Sequence, residues 1–172
     1  MFRKFILISS LVLLLISADI TTLFSADKHI QITGENVNIR LKNTTGSTLV
    51  AKAKKGNIFE FVSEKGNWFE INMFTGEYRY IHKSLGKIVS YVPVLPKSEA
   101  TRKAIFHELG EAEDKAMLEA DKKYPPSVDI YKNIDYCRIL EDRYKLEIFN
   151  RYEVQPPIYT KLIVEGATKG WK

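Results

Sequence analysis

The 172-residue sequence predicts an α+β chain, with a small β-barrel in the first half and a three-helix antiparallel region in the second. Three observations carry this reading. Between residues 29 and 90, apolar residues alternate at the period of a strand, and Gly or Asn marks each break. From residue 98 onward they recur every three or four positions, the period of a helix. The change of period falls at Tyr91-Val92-Pro93-Val94-Leu95-Pro96, where prolines three apart predict an extended linker over 91–97.

The chain opens with Met1-Phe2-Arg3-Lys4, a short positive start, followed by an apolar run from Phe5 to Ile16. A run of about 12 residues suits a signal-peptide core and is too short to span a bilayer as a helix. The expectation is a signal peptide over 1–26, cleaved between Ala18 and Ala26. The competing reading is a retained N-terminal anchor. Either places the rest of the chain outside the cytoplasm, in the periplasm or on the cell surface, with no transmembrane helix in the mature protein. Cys137 is the only cysteine, so no internal disulfide is possible and packing must supply the stability.

In the β region, Ile30-Gln31-Ile32 alternates up to Gly34, and Val37 and Ile39 alternate with Asn38 and Arg40. A turn-rich loop over Asn43-Thr44-Thr45-Gly46-Ser47 leads into Leu49 to Ala53. Phe59 and Phe61 share a strand face, and Glu64-Lys65-Gly66-Asn67 turns the chain. Phe69, Ile71 and Met73 then alternate with Trp68, Glu70 and Asn72, and Thr75-Gly76 turns again into Tyr78-Arg79-Tyr80-Ile81. Five or more short strands at this spacing predict a compact barrel or sandwich.

Over 98–172, Ser98 is placed to cap a helix running to about Lys123. Its inward stripe is Ile105, Leu109, Ala112, Ala116 and Ala120, whose alanines allow a second helix close approach. Tyr124-Pro125-Pro126 ends it, and Ser127 is placed to cap the next. There Ile130, Ile134, Cys137, Leu140, Tyr144, Ile148 and Tyr152 form an apolar stripe. Pro156-Pro157 starts a third helix with Ile158, Leu162 and Ile163 inward, and Gly166 and Gly170 weaken its end. Such lengths and turns predict a helical hairpin with a third helix packed across it.

Charge is uneven. From His29 to Pro96 there are nine Lys/Arg and five Asp/Glu, and from Lys97 to Lys172 fourteen of each. The front is basic, which suits an anionic partner such as a cell-wall polymer or lipid headgroups. No nucleic-acid motif accompanies the charge, and an exported chain does not meet nucleic acid.

The motifs Val37-Asn38-Ile39-Arg40, Lys55-Gly56, Gly66-x-Trp68-Phe69-x-Ile71 and Tyr80-Ile81-His82 with Leu85 fall in order over about sixty residues. In this the stretch 29–90 resembles the bacterial SH3-like (SH3b) domains of cell-envelope proteins. It departs from them in two places. Arg79-Tyr80 replaces the usual Gly-Trp, and Leu41-Lys42-Asn43 the usual Ser-Gly-Pro. The resemblance implies an SH3-like β-barrel with a noncatalytic binding or scaffolding role toward peptidoglycan or an envelope protein or peptide.

The candidate ligand-binding residues are Arg40, Trp68, Tyr78, Arg79 and Tyr80. Trp68 falls out of step with Phe69, Ile71 and Met73, which places it on the outer face beside Tyr78 or Tyr80. Exposed aromatics next to Arg40 and Arg79 would stack on sugar rings or clasp a peptide. The other reading has Trp68 and Tyr80 closing the barrel. No catalytic, cofactor or metal pattern emerges. His29, His82 and His107 lie in separate elements, and His107-Glu108 lacks the second histidine of the zinc-protease motif. Cys137 falls mid-helix with no histidine after it, and Glu111, among the acidic residues Glu108 to Asp114, is spaced to pair with Lys115. The alternative function is an accessory subunit or cryptic hydrolase acting on the cell wall.

Overall fold

The computed structural model describes residues 27–171, so the expected signal peptide over 1–26 lies outside the described residues. Seven strands form one antiparallel sheet: β1 (Lys28–Ile32), β2 (Val37–Arg40), β3 (Leu49–Ala53), β4 (Ile58–Lys65), β5 (Trp68–Asn72), β6 (Tyr78–His82) and β7 (Gly86–Ser90). Their order is β3-β2-β6-β5-β4-β1-β7, so β3 and β7 are edges and the sheet does not close. The β4–β5 hairpin pairs Lys65 with Trp68 around Gly66-Asn67. Gly66 takes φ +59°, a left-handed conformation that a residue with a Cβ adopts only at a cost. A register shift between Phe61 and Ser63 bends β4 and helps the sheet curl.

Three helices follow: α1 (Glu99–Lys123), α2 (Pro126–Arg151) and α3 (Tyr159–Lys169). Ser98 caps α1 as expected, its Oγ accepting from the Thr101 amide at 3.2 Å. The α1 stripe Ile105, Leu109, Ala112, Ala116 and Ala120 is buried as expected. Ser127 does not cap α2. Extended Asp129 (φ −153°, ψ 87°) interrupts its first turn, and its Oδ1 accepts from the Lys132 amide at 3.0 Å, capping the regular part. Gly166 is a packing position in α3: a Cβ there would sit 2.3 Å from a Phe106 ring carbon. Among the described residues, no helix is long and apolar enough to cross a membrane.

The α2 stripe differs from expectation. Leu140 and Ile148 are buried, while Ile130 and Ile134 are exposed at 44% and 39% and Cys137, Tyr144 and Tyr152 half-buried. The deepest α2 residues include Asp142, Lys145, Leu146 and Phe149. The reason is tertiary: α2 packs against α1 and against the sheet, so it buries two faces.

The change from strands to helices falls at 91–97, yet both parts share one hydrophobic core. That core runs from Ile30, Ile39, Ile71 and Ile81 in the sheet to Leu109, Leu146, Phe149 and Leu162 in the helices. Polar groups cross the same boundary. Asn57 Nδ2 donates to Asn150 Oδ1 at 2.8 Å, and the Ile58 amide donates to Gln155 Oε1 at 2.9 Å. Arg143 donates Nε and Nη2 to the Val50 and Leu49 carbonyls of β3, occupying backbone acceptors that an edge strand leaves open.

The deepest link is Arg79 to Asp142, which are 2% and 0% exposed. Arg79 Nε and Nη2 each lie 2.8 Å from Asp142 Oδ2, while Oδ1 accepts from the Phe74 and Thr75 amides and the Thr75 hydroxyl at 3.2–3.3 Å. Burial pushes the Asp142 carboxyl above its ordinary range, with Arg79 and Thr75 pulling the other way. On the helical side, Lys145 Nζ reaches Glu113 on α1 (2.7 Å), Glu141 on α2 (3.0 Å) and the Tyr159 hydroxyl on α3 (3.2 Å). Burial works against the Lys145 charge, but these partners prevail and raise its pKa.

Candidate functional site

The outer face of the sheet is built by strand parity. On β6, Arg79 and Ile81 are buried inward while Tyr78, Tyr80 and His82 point away. Across the sheet, Trp68 pairs with His82, Glu70 with Tyr80 and Ser63, and Arg40 with Tyr80. This forms a row, Arg40–Tyr80–Glu70–Ser63, beside a second, His82–Trp68–Lys65.

Glu70 organises the first row. Its carboxylate is 5% exposed and accepts from Ser63 Oγ at 2.6 Å and the Tyr80 hydroxyl at 2.7 Å, with Lys65 Nζ at 3.9 Å. The Ser63 hydrogen bond leads in holding its pKa below the ordinary value, against the opposing effect of burial. Burial and the same carboxylate push the Tyr80 phenol up to about 12. Tyr80 is therefore held, half-buried, as a neutral donor.

Trp68 and Arg40 meet at a hollow of about 360 Å³ that His82 also lines. Trp68 is 9% exposed, its ring edge-on to His82 with centroids 5.3 Å apart. Arg40 spends Nη1 on the Ser47 carbonyl at 2.7 Å, which ties down the β2–β3 loop, and keeps its other donors. Arg40 thus brings free donors to the hollow, whose lining also includes the Glu35 carboxylate, 4.0 Å from Lys55 Nζ.

Asn36, with φ +51°, lines this hollow and also a second groove of about 440 Å³ along the seam between β3 and α2. Four cations line the second groove: Lys52, Lys54, Arg143 and Arg151, with Glu147 the one carboxylate. Arg151 is paired with Glu108 on α1 at 2.5 Å. Lys52, Lys54 and Arg143 form no ion pair among the described residues. The Arg40–Trp68 hollow and a cationic groove therefore adjoin at one residue, Asn36.

The five candidates separate accordingly. Arg40 and Trp68 converge on the hollow, though Trp68 is buried and offers little stacking surface. Tyr80 stands next to them in the ladder. Tyr78 is 53% exposed and paired with Asn72, away from the hollow. Arg79 is corrected: it is not a surface contact, because its side chain faces the core and holds Asp142. The signal was in the sequence, since Arg79 shares parity with Ile81. Lys52 and Lys54 escaped the sequence reading, and so did Arg143 and Arg151, because only the packing of α2 along β3 brings them together.

Cys137 lies half-buried with Sγ 3.6 Å from Glu141 Oε1. Burial, then Glu141, pushes its thiol up to about 11, the reverse of what a nucleophilic cysteine needs. Among the described residues no three His, Cys, Asp or Glu side chains are grouped to hold a metal ion. No family model, curated protein or solved structure matches the chain.

Proposed function

We propose that this protein is an exported, noncatalytic binding module of the cell envelope, acting in the periplasm or at the cell surface. Its β-sheet is an SH3-like unit adapted to hold an anionic wall polymer. The observation that carries the reading is the track through Asn36, which joins the Arg40–Trp68 hollow to the Lys52, Lys54 and Arg143 groove. The free guanidinium donors of Arg40, beside the Lys52, Lys54 and Arg143 cations without counter-charges, fit a ligand rich in carboxylate or phosphate oxygens. Supporting it are the basic composition of residues 29–96 and the motif order shared with envelope SH3b domains.

The test is cosedimentation of the full chain with purified wall material, with soluble fragments assayed in the supernatant. A Lys52→Ala/Lys54→Ala variant should bind roughly tenfold more weakly, at up to ~1 kcal/mol per exposed charge. The difference should shrink as salt rises and the Debye length falls. Equal binding by the double variant would reject the track. Release of fragments by the parent would instead favour a wall hydrolase.

A further inference from the structure

A third cavity, of about 550 Å³, shares no lining residue with the track. It lies where β1, β4 and the end of β5 meet the linker and the start of α3. Its walls are Tyr91, Tyr159, Met73 and the prolines 93, 156 and 157. Its polar lining is His29, Glu60, Asp27, Asn72, Thr160 and Lys161.

His29 is the informative residue. It is 3% exposed, with its ring edge-on to Tyr91 at 5.5 Å between centroids. Its Nδ1 lies 2.6 Å from the Asp27 carbonyl oxygen. A carbonyl only accepts, so Nδ1 carries the proton, and in the neutral ring Nε2 is left as a lone-pair acceptor. Nε2 has no partner among the described residues. Glu60, the cross-strand neighbour of His29, accepts from Asn72 Nδ2 on Oε2 at 3.0 Å and keeps Oε1. Lys161 Nζ donates to the Pro93 carbonyl at 2.9 Å, pinning the linker beside the cavity. Acceptors on the β1–β4 side and the donors Thr160 and Lys161 on the α3 side therefore share a space walled by rings and prolines, a mixed polarity unlike that of the cationic groove.

That lining selects among ligands. An apolar ligand would leave His29 Nε2 and the carboxylates unpaired, at a desolvation cost. An anion would meet two carboxylates against the single ammonium of Lys161, whose Nζ already donates to the Pro93 carbonyl. A sugar ring brings hydroxyl donors for His29 and Glu60 and a C–H face for the tyrosines. The volume falls within the usual range for small-ligand sites. We infer that this cavity, closed by the linker and α3, is a saccharide-binding site in which a ring hydroxyl donates to His29 Nε2.

The experiment titrates the full chain with cellotriose, maltotriose and chitotriose, following the His29, Tyr91 and Tyr159 ring signals by NMR. At least one trisaccharide should shift all three. His29→Phe keeps a ring against Tyr91 and removes Nε2, and should weaken binding at least tenfold. Glu60→Gln, at an exposed position, should weaken it several-fold and covers the case in which His29→Phe fails to fold. Lys52→Ala/Lys54→Ala should bind the sugar like the parent, which separates this site from the anionic track. The inference is overturned if no trisaccharide shifts these signals, if cadaverine shifts them and sugars do not, or if the folded His29 and Glu60 variants bind undiminished.

Discussion

Replacing Asp142 with alanine tests whether sheet and helices are one cooperative unit. The change leaves the Arg79 guanidinium, 2% exposed, with no counter-charge, and removes the acceptor of the Phe74 and Thr75 amides. Breaking a buried pair on one side costs about 3–5 kcal/mol. The whole stability of a domain this size is on the order of 5–15 kcal/mol. The melting temperature should therefore fall by roughly 10–15 °C. Arg79→Met/Asp142→Leu removes both charges and fills the space, so it should recover about half or more of the loss, because apolar replacement of a buried pair is often near neutral. Urea titrations should follow helical circular dichroism and tryptophan fluorescence, with Trp68 in the sheet and Trp171 beyond α3. The two signals should move together in parent and variants. A loss under about 1 kcal/mol for Asp142→Ala, or separate transitions for the two signals, would refute the reasoning.

Three further outcomes are expected. Limited proteolysis should spare residues 91–97 and leave one fragment containing both sheet and helices, because Lys161 and Arg102 hold the Pro93, Pro96 and Lys97 carbonyls. A cut there yielding a folded β-fragment would mean the halves are independent after all. Cys137, its thiol raised to about 11, should resist iodoacetamide at pH 8 in the native protein and react after unfolding. Glu165, held at about 2 by Arg102 and then Lys169, has a folded pKa below its unfolded value near 4.5. Its stabilising contribution is therefore present above pH 4.5 and lost as pH falls toward 2. Parent and Glu165→Gln melting curves should differ at pH 6 and converge toward pH 2, and a constant gap would contradict the assignment.

What the sequence by itself determined is local. Alternation placed β1, β2 and β5, turn residues led into β3 and β6, the three-to-four spacing placed α1 with its buried stripe, and Ser98 and Pro156-Pro157 marked helix starts. These features depend on residues within one or two turns of each other, so periodicity and capping chemistry suffice. Parity would also have turned Arg79 inward, had a charged residue in a core been admitted. Tertiary structure decided what depends on residues far apart in the chain. Placing α2 against both α1 and the sheet is what buries Asp142 and Lys145 and exposes Ile130 and Ile134, overriding the apolar stripe. The open edge at β3 draws Arg143 across it and so gathers Lys52, Lys54 and Arg151 into a groove. The linker, α3 and β1 enclose His29 only once they are packed together. A stripe records how greasy a helix face is, but whether that face meets protein or water is settled by which other surfaces remain to be covered.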